Sequence, residues 1–307
     1  MNKMPVIIGP TAGGKTALAV RVARKLGRAE IVSADSMLIY RGLNIGAAKP
    51  TAEEMGGVPH HGIDVIAPTD TFSVQQWLSL ATAAIADIRA RGAEPVIVGG
   101  THLYIKALLD GLFDGPGADE SIRARLRALP REQLRAMLES ADPPAALKLH
   151  PNDLRRTVRA LEVFELTGKR ISDHQRQWDT DKPESEFVLI NIDWPTDQIN
   201  RRINARVKGM FEQGLVQEAR ALHDADLLGT QAKEALGYKQ LIAHFRGRCT
   251  LEDAAEQIKI ETRRFAKNQR TWARRLRVVP GAITISAAET PEDSWADIVV
   301  RACSSGP

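Results

Sequence analysis

Val6-Ile7-Ile8-Gly9-Pro10-Thr11-Ala12-Gly13-Gly14-Lys15-Thr16 is a short apolar run ending in a glycine-rich turn. The eight residues Gly9, Pro10, Thr11, Ala12, Gly13, Gly14, Lys15 and Thr16 match G-x-x-x-x-G-K-[ST] in full. A helical stretch, Thr16 to Leu26, follows, and Gly27 is placed to cap it. Strand, glycine turn and helix in that order make a phosphate-binding loop. Its glycines let the backbone wrap a phosphate, and the free N–H groups at the helix start point at it. Lys15 adds a cation for the terminal phosphate, and the Thr16 hydroxyl is placed for Mg2+.

Outward from the loop, strands and helices alternate. An apolar strand, Glu30 to Ser33, runs to Asp35. Phe72 to Arg91 reads as an amphipathic helix with Trp77, Leu80, Ala84 and Ile88 on one face. Pro95 to Val98 forms a third strand, closed by Gly99-Gly100-Thr101. This order predicts an α/β fold: a parallel, P-loop NTPase-like sheet with crossover helices, its ligands at the carboxyl ends of the strands. Near Gly111 the texture changes. From Asp119 to about Gly168 the chain is helical and arginine-rich, broken by Pro143-Pro144 and Pro151. Thr180 to Glu186 reads as a polar linker, and Phe187 to Ile192 is strand-like again. The chain then reads as helical through Arg277, with a weak strand at Ala282 to Ile285 and a last helix near Trp295 to Ala302. The expected organisation is a first core part over 1–113, a helical insertion over 114–183 and a second core part over 184–307.

Composition bounds the partners. With 307 residues and two distant cysteines, Cys249 and Cys303, neither a disulfide framework nor a cysteine metal knuckle is expected. The pattern suits a reducing cytosol, and no run has the length of a signal core or a membrane span. A net charge of +4 says little until it is placed. In the predicted helix Ile258 to Arg277, Lys259, Arg263, Lys267, Arg270, Arg274 and Arg277 recur at spacings of three and four. They read as an acid-free stripe for RNA phosphates, opposite a more buried stripe of Ile258, Phe265, Gln269, Trp272 and Leu276. A solvated helix face is the plainer alternative.

The loop does not choose its ligand, and ATP and other diphosphates remain open. An ordinary NTPase also needs a strand-end Asp for its metal. Pro95 to Val98 ends without a carboxylate, whereas Ser33-Ala34-Asp35-Ser36 supplies one. Asp35 suits a metal or kinase-type carboxylate, a general base, or a simple turn aspartate. His60 and His61 are read as structural turn residues, His102 is given no chemistry, and Trp77 and Trp295 are read as core.

Several separated motifs resemble one family, the tRNA dimethylallyltransferases. They are the loop itself, Ser33-Ala34-Asp35-Ser36-Met37-Leu38-Ile39-Tyr40, Gly46-Ala47-Ala48-Lys49-Pro50 and Pro59-His60-His61-Gly62-Ile63-Asp64. Val98-Gly99-Gly100-Thr101-His102-Leu103-Tyr104, His150-Pro151-Asn152-Asp153, Arg159-Ala160-Leu161-Glu162-Val163, Ala235-Leu236-Gly237-Tyr238-Lys239 and Thr271-Trp272 follow in family order.

The resemblance implies transfer of a dimethylallyl group from dimethylallyl diphosphate to the exocyclic amine of the adenosine just 3′ of the anticodon. It implies that the loop holds the diphosphate with Mg2+, that Asp35 is the base, that Thr101 orients the amine and that Arg220 reaches the diphosphate. Asp35, Ser36, Met37, Leu38, Thr101, Arg123, Arg155, Arg156, Arg159, Gly237, Tyr238, Lys239, Lys267, Arg270 and Arg274 are the implied tRNA contacts. The insertion is implied to hold the anticodon stem, and the target base to swing out into a pocket. Gly13 stands where the family usually has Ser, Ala48 departs from the usual turn, and a C-terminal zinc finger is absent, as in the shorter bacterial form. A cytoplasmic monomer is the expected state. A small-molecule kinase and a nucleotide-switched RNA-binding protein are the competing readings; the first leaves the basic stripe without a task and the second leaves Asp35 and Thr101 without one.

Overall fold

The computed structural model describes residues 3–112, 115–176, 186–276 and 280–304. Arg277 and most of the Thr180 to Glu186 linker lie outside them, as do the residues at the expected boundaries 113/114 and 183/184. The chain separates into two compact units, Met1–Leu109 with Glu184–Pro307, and Asp110–Pro183.

In the first core part the elements are β1 (Met4–Ile8), α1 (Lys15–Leu26), β2 (Ala29–Ser33), α2 (Ala52–Met55), β3 (His60–His61), α3 (Val74–Ala90), β4 (Glu94–Val98) and α4 (His102–Asp110). The helical unit holds α5 (Glu120–Arg127), α6 (Arg131–Ala141), α7 (Pro143–Lys148), α8 (Leu154–Thr167) and α9 (Ile171–Arg176). The second core part adds β5 (Phe187–Asp193), α10 (Thr196–Glu212), α11 (Leu215–Asp224), α12 (Tyr238–Phe245), α13 (Leu251–Leu276), β6 (Ile283–Ser286) and α14 (Trp295–Ser304). Among the described residues no helix is long and apolar enough to cross a membrane.

Six parallel strands lie in the order β3-β2-β4-β1-β5-β6. Parallel strands buried on both faces need apolar residues at consecutive positions, which is why β1 and β2 read as unbroken buried runs. Period two then sorts the side chains. Ile7, Ile31, Val96 and Ile190 pack under α1 and α14, while Val6, Ile8, Val32, Ile97 and Leu189 pack under α3 and α4. Trp77 and Trp295 are both core residues. The Trp77 indole N–H donates to the Ser33 carbonyl at 2.8 Å, and its ring stacks on Tyr104 at 4.6 Å.

Helix α3 starts at a Ser73–Gln76 capping box, and its buried line is Trp77, Ala81, Ile85 and Ile88. Leu80 and Ala84, expected on that line, sit at its edge, where Leu80 joins the helical core around Tyr238. From β1 the chain crosses to β2 on one side, and after β4 it crosses to β5 on the other. The carboxyl end of β1 is therefore the point from which connections diverge, the usual place for a ligand cleft in an open α/β sheet.

The helical unit is organised around a buried carboxylate. Glu162, fully buried on α8, takes Arg159 Nη1 at 2.7 Å, Arg123 Nε at 2.9 Å and the Asp119 backbone N–H at 2.7 Å. Burial pushes its carboxyl up, but these donors overcome that and hold it below the ordinary value. Arg159 also donates to the Pro116 and Gly117 carbonyls. Arg123 and Arg159, implied as RNA contacts, are thus also part of the unit's internal ion pairing. Glu162→Ala leaves both guanidiniums without their carboxylate. The expected cost is about 3 kcal/mol, at the low end for a buried pair because both arginines stay partly hydrated, read as a shift in the full chain's denaturation midpoint.

Candidate active site

Beyond Ile8 the loop closes on itself. Gly13 N–H donates to the Pro10 carbonyl at 3.1 Å, and Gly14, at φ 83°, is the N-cap of α1. A Cβ at Gly9 would sit 3.0 Å from the Ile192 carbonyl oxygen, so the first loop glycine lets β5 lie against the turn. The Lys15 amine folds back to the Pro10 carbonyl at 2.8 Å. Burial lowers its pKa to about 8, opposed by Asp35 and reinforced by Arg206.

Helix α10 reaches across the loop. Ile199, Ile203 and Val207 bury one side of the helix, and Arg202 and Arg206, one turn apart, flank that side. Arg202 Nε donates to the Ala12 carbonyl at 2.8 Å, its guanidinium 4.5 Å from the Trp194 ring centre. Trp194 Nε1 donates to the Gly13 carbonyl at 3.1 Å. Arg206 makes a single long bond, 3.4 Å, to the Thr11 hydroxyl. Burial lowers its pKa while Asp35 opposes. It has no ion-paired carboxylate among the described residues, which marks it as a cation set for an incoming anion.

These groups line a half-open cleft of about 620 Å³ of empty space. Lys15, Thr16, Arg206 and Asp35 give it charge and hydroxyl, while Leu38, Ala47, Pro50, Ile63 and Phe265 give it an apolar side. Asp35 Oδ1 accepts the Met37 N–H at 2.9 Å, and Oδ2 has no hydrogen-bond partner among the described residues. The turn and the reactive reading of this aspartate therefore coexist, one oxygen for each. Thr101 Oγ1 accepts the Ser36 N–H at 3.0 Å and lies 3.3 Å from the Ser36 hydroxyl, so β4's exit is tied to the Asp35 turn.

His60 also lines the cleft. Its Nδ1 lies 2.8 Å from the Val58 carbonyl, so Nδ1 carries the hydrogen and Nε2 is an acceptor, buried and unpartnered. Burial lowers its pKa, with the Val58 contact opposing. His61 instead bonds Glu30 at 2.7 Å. The pair forms the short strand β3 rather than a turn, and alternation sends the two rings to different neighbours.

Other expected site residues lie elsewhere. Arg220 is exposed, its guanidinium 3.8 Å from the Phe245 ring centre and outside the cleft, while Arg206 lines it. Tyr238 is fully buried, its hydroxyl donating to Glu218 Oε1 at 2.5 Å, so it offers no surface to RNA. Glu218 also accepts the N–H groups of Asn44, Ile45 and Gly46, and a Cβ at Gly46 would meet the Tyr238 ring at 2.4 Å. That network gives the Gly46–Pro50 turn a role, with Lys49 pegging it to the Tyr40 carbonyl at 2.9 Å and to Asp64. Gly237, at φ 96°, is the N-cap of α12, and Lys239 pairs with Glu234 at 2.7 Å.

The basic stripe of α13 is neither acid-free nor uniform. Lys259 and Arg263 reach Glu256 at 3.2 and 3.3 Å. Arg270 turns inward to the Thr196 hydroxyl at 2.8 Å and the Trp194 carbonyl at 3.3 Å. Lys267 and Arg274 remain exposed on α13, and Arg155 and Arg156 on α8. Phe265, expected on the buried stripe, is 43% exposed and faces the cleft.

Comparison with known proteins gives the chain's family. The family model described as IPP transferase matches residues 38–276, and one described as isopentenyl transferase matches residues 2–63. A tRNA dimethylallyltransferase of Geobacillus thermodenitrificans is 47% identical over 278 residues, covering 89% of this chain and 88% of its own. One from Anaeromyxobacter dehalogenans is 43% identical over 281 residues, covering 90% and 92%. The crystal structure of the tRNA isopentenylpyrophosphate transferase of Bacillus halodurans superposes with a TM-score of 0.73 at 37% identity, over 99% of this chain and 97% of that one. A eukaryotic dimethylallyltransferase acting on tRNA superposes with a TM-score of 0.79 at 26% identity, over 94% and 75%. A family model that spans most of the chain, and relatives close over most of both lengths, place this protein in the IPP transferase family.

Proposed function

We propose that the cleft joins an allylic diphosphate to an amine on RNA, with Lys15, Arg206 and the loop amides holding the leaving group and Asp35 taking the proton. The donor is dimethylallyl diphosphate, and the acceptor is the exocyclic amine of the adenosine immediately 3′ of the anticodon in tRNA. As the allylic C–O bond breaks, its electron pair departs with the diphosphate, where two cations and the α1 N-terminus stabilise it. The amine nitrogen bonds the allylic carbon, and its surplus proton passes to the free oxygen of Asp35. Thr101 positions the acceptor side through the Ser36 turn. Leu38, Ile63 and Phe265 suit the five-carbon chain.

The supporting observation is the meeting of a half-buried arginine that has no ion-paired carboxylate among the described residues, the loop lysine and a half-free carboxylate on one cleft with an apolar side. Thr16, on the cleft wall, fits as a Mg2+ ligand. Among the described residues no three His, Cys, Asp or Glu side chains cluster as a metal site, and a Mg2+ ion that keeps its waters and binds mainly phosphate oxygens needs no such cluster. When bound, the ion would help neutralise the departing diphosphate. RNA phosphates have Lys267 and Arg274 on the core, and Arg155 and Arg156 on the helical unit, as exposed partners. A monomer working in the cytoplasm completes the proposal. Incubating the protein with Mg2+, labelled dimethylallyl diphosphate and unmodified tRNA should place label in the RNA. ATP consumption with a small acceptor and no label in RNA would establish a kinase instead.

A further inference from the structure

Gln269 is a polar residue on the inner side of a charged helix, and it is 4% exposed. A buried carboxamide is tolerated only when its donor and acceptor are satisfied. Here both ends are used on backbone. Oε1 accepts the Thr11 N–H at 2.7 Å, and Nε2 donates to the Gly100 carbonyl at 3.0 Å.

The two backbones it joins are those the reaction has to keep in register. Strands β1 and β4 are ladder neighbours through Ile7 and Val98, and the contact continues to the Gly99 N–H on the Ile7 carbonyl at 3.1 Å. Past that bond they part: one becomes the phosphate loop, the other turns toward Thr101. No β1–β4 ladder bond spans the gap between Thr11 and Gly100, and the Gln269 amide bridges it. A Cβ on Gly100 would sit 2.3 Å from Nε2, so the glycine is what lets the carboxamide in. The bridge arrives from α13, the helix that carries exposed Lys267 and Arg274.

We propose that Gln269 is a positioning residue for the transfer step: it fixes the separation between the donor's phosphate loop and the strand exit that carries Thr101. The inference rests on the allyl-transfer reading of the cleft. In-line attack needs the amine close behind the allylic carbon, and a displacement of about 1 Å costs on the order of 10²-fold in rate. A loosened bridge also admits water. Water oxygen then bonds the allylic carbon as the C–O bond to diphosphate breaks, releasing dimethylallyl alcohol, diphosphate and a proton to solvent.

The experiment uses the full chain with labelled dimethylallyl diphosphate, Mg2+ and unmodified tRNA, and counts label in RNA against label in alcohol. Gln269→Met is expected to lower kcat by about 10²-fold, to move the KM of donor and tRNA by less than about threefold, and to raise the alcohol-to-RNA ratio by about tenfold or more. A purely structural residue would lower the folded fraction and leave that ratio unchanged. Gln269→Glu keeps the shape and the Thr11 contact but loses the donor to Gly100, so it too should raise the ratio and decides the matter if the methionine variant fails to fold. Unchanged partitioning and kcat in the folded variants overturn the proposal. Absence of RNA labelling by the unsubstituted protein overturns the allyl-transfer reading instead.

Discussion

Asp35→Asn is expected to lower single-turnover transfer by about 10²- to 10⁴-fold, the range for loss of a general base, with tRNA affinity changed less than about twofold. The asparagine variant is the sharper probe because of how the two oxygens divide their work. Oδ1 holds the Met37 N–H, and an amide oxygen at the same place keeps that turn. Only the proton acceptor on the cleft side is lost. Asp35→Ala should abolish transfer as well, but it also frees the Met37 N–H and loosens the turn that Ser36 shares with Thr101. An aryl amine is a poor nucleophile until its proton has somewhere to go, so the loss belongs in the chemical step and not in RNA binding. Filter binding of a tRNA stem-loop and rapid-quench transfer, measured on the same preparation, separate the two. Near-normal turnover in the asparagine variant would remove Asp35 from the base role.

Local features were legible in the sequence because local physics decides them. The loop's eight residues, four of the six strands as firm apolar runs, and the helix after the loop all follow from patterns within a dozen residues. Asp35 and Thr101 were legible as strand-end residues, since parallel strands deliver their carboxyl ends to one edge. Arg206 was not. Arginines recur through α10 and α11, and only the fold brings Arg206 to the loop while Arg220 settles on Phe245. A signal existed: Arg202 and Arg206 flank the buried face of the helix that leaves β5 on the cleft edge.

The charged helices were harder to read for the opposite reason. Periodicity marks a face, but it does not say which acid sits one turn away or which carbonyl lies opposite. Arg123 and Arg159 are implied RNA contacts, and the fold also pairs both with Glu162, an acid at a buried helix position. Arg270 kept the spacing of a phosphate contact and yet points at Thr196. Tyr238 sits in a recognisable motif, and its ring packs under a glycine turn.

Arg206→Ala is expected to weaken donor binding by about 10- to 100-fold, the worth of one charged hydrogen-bonding partner, while Arg220→Ala leaves it unchanged. Lys15 makes the pH dependence of the same measurement informative. In the free protein its pKa is about 8, and a bound diphosphate raises it by adding negative charge beside the ammonium. Below about 8 the lysine is charged in both states, so affinity for the donor should be flat there. Above it, binding must take up a proton, and affinity should fall by up to about tenfold per pH unit until the raised pKa is reached. Arg206 is one of the causes that depress Lys15, so its removal should also move this break to higher pH. The variant is therefore weaker at every pH but holds its reduced affinity further into the alkaline range. Titrating a non-reactive donor analogue at several pH values into the three proteins tests both halves. A break that stays put in Arg206→Ala would mean the two cations do not sense each other, and the shared diphosphate site would need to be redrawn.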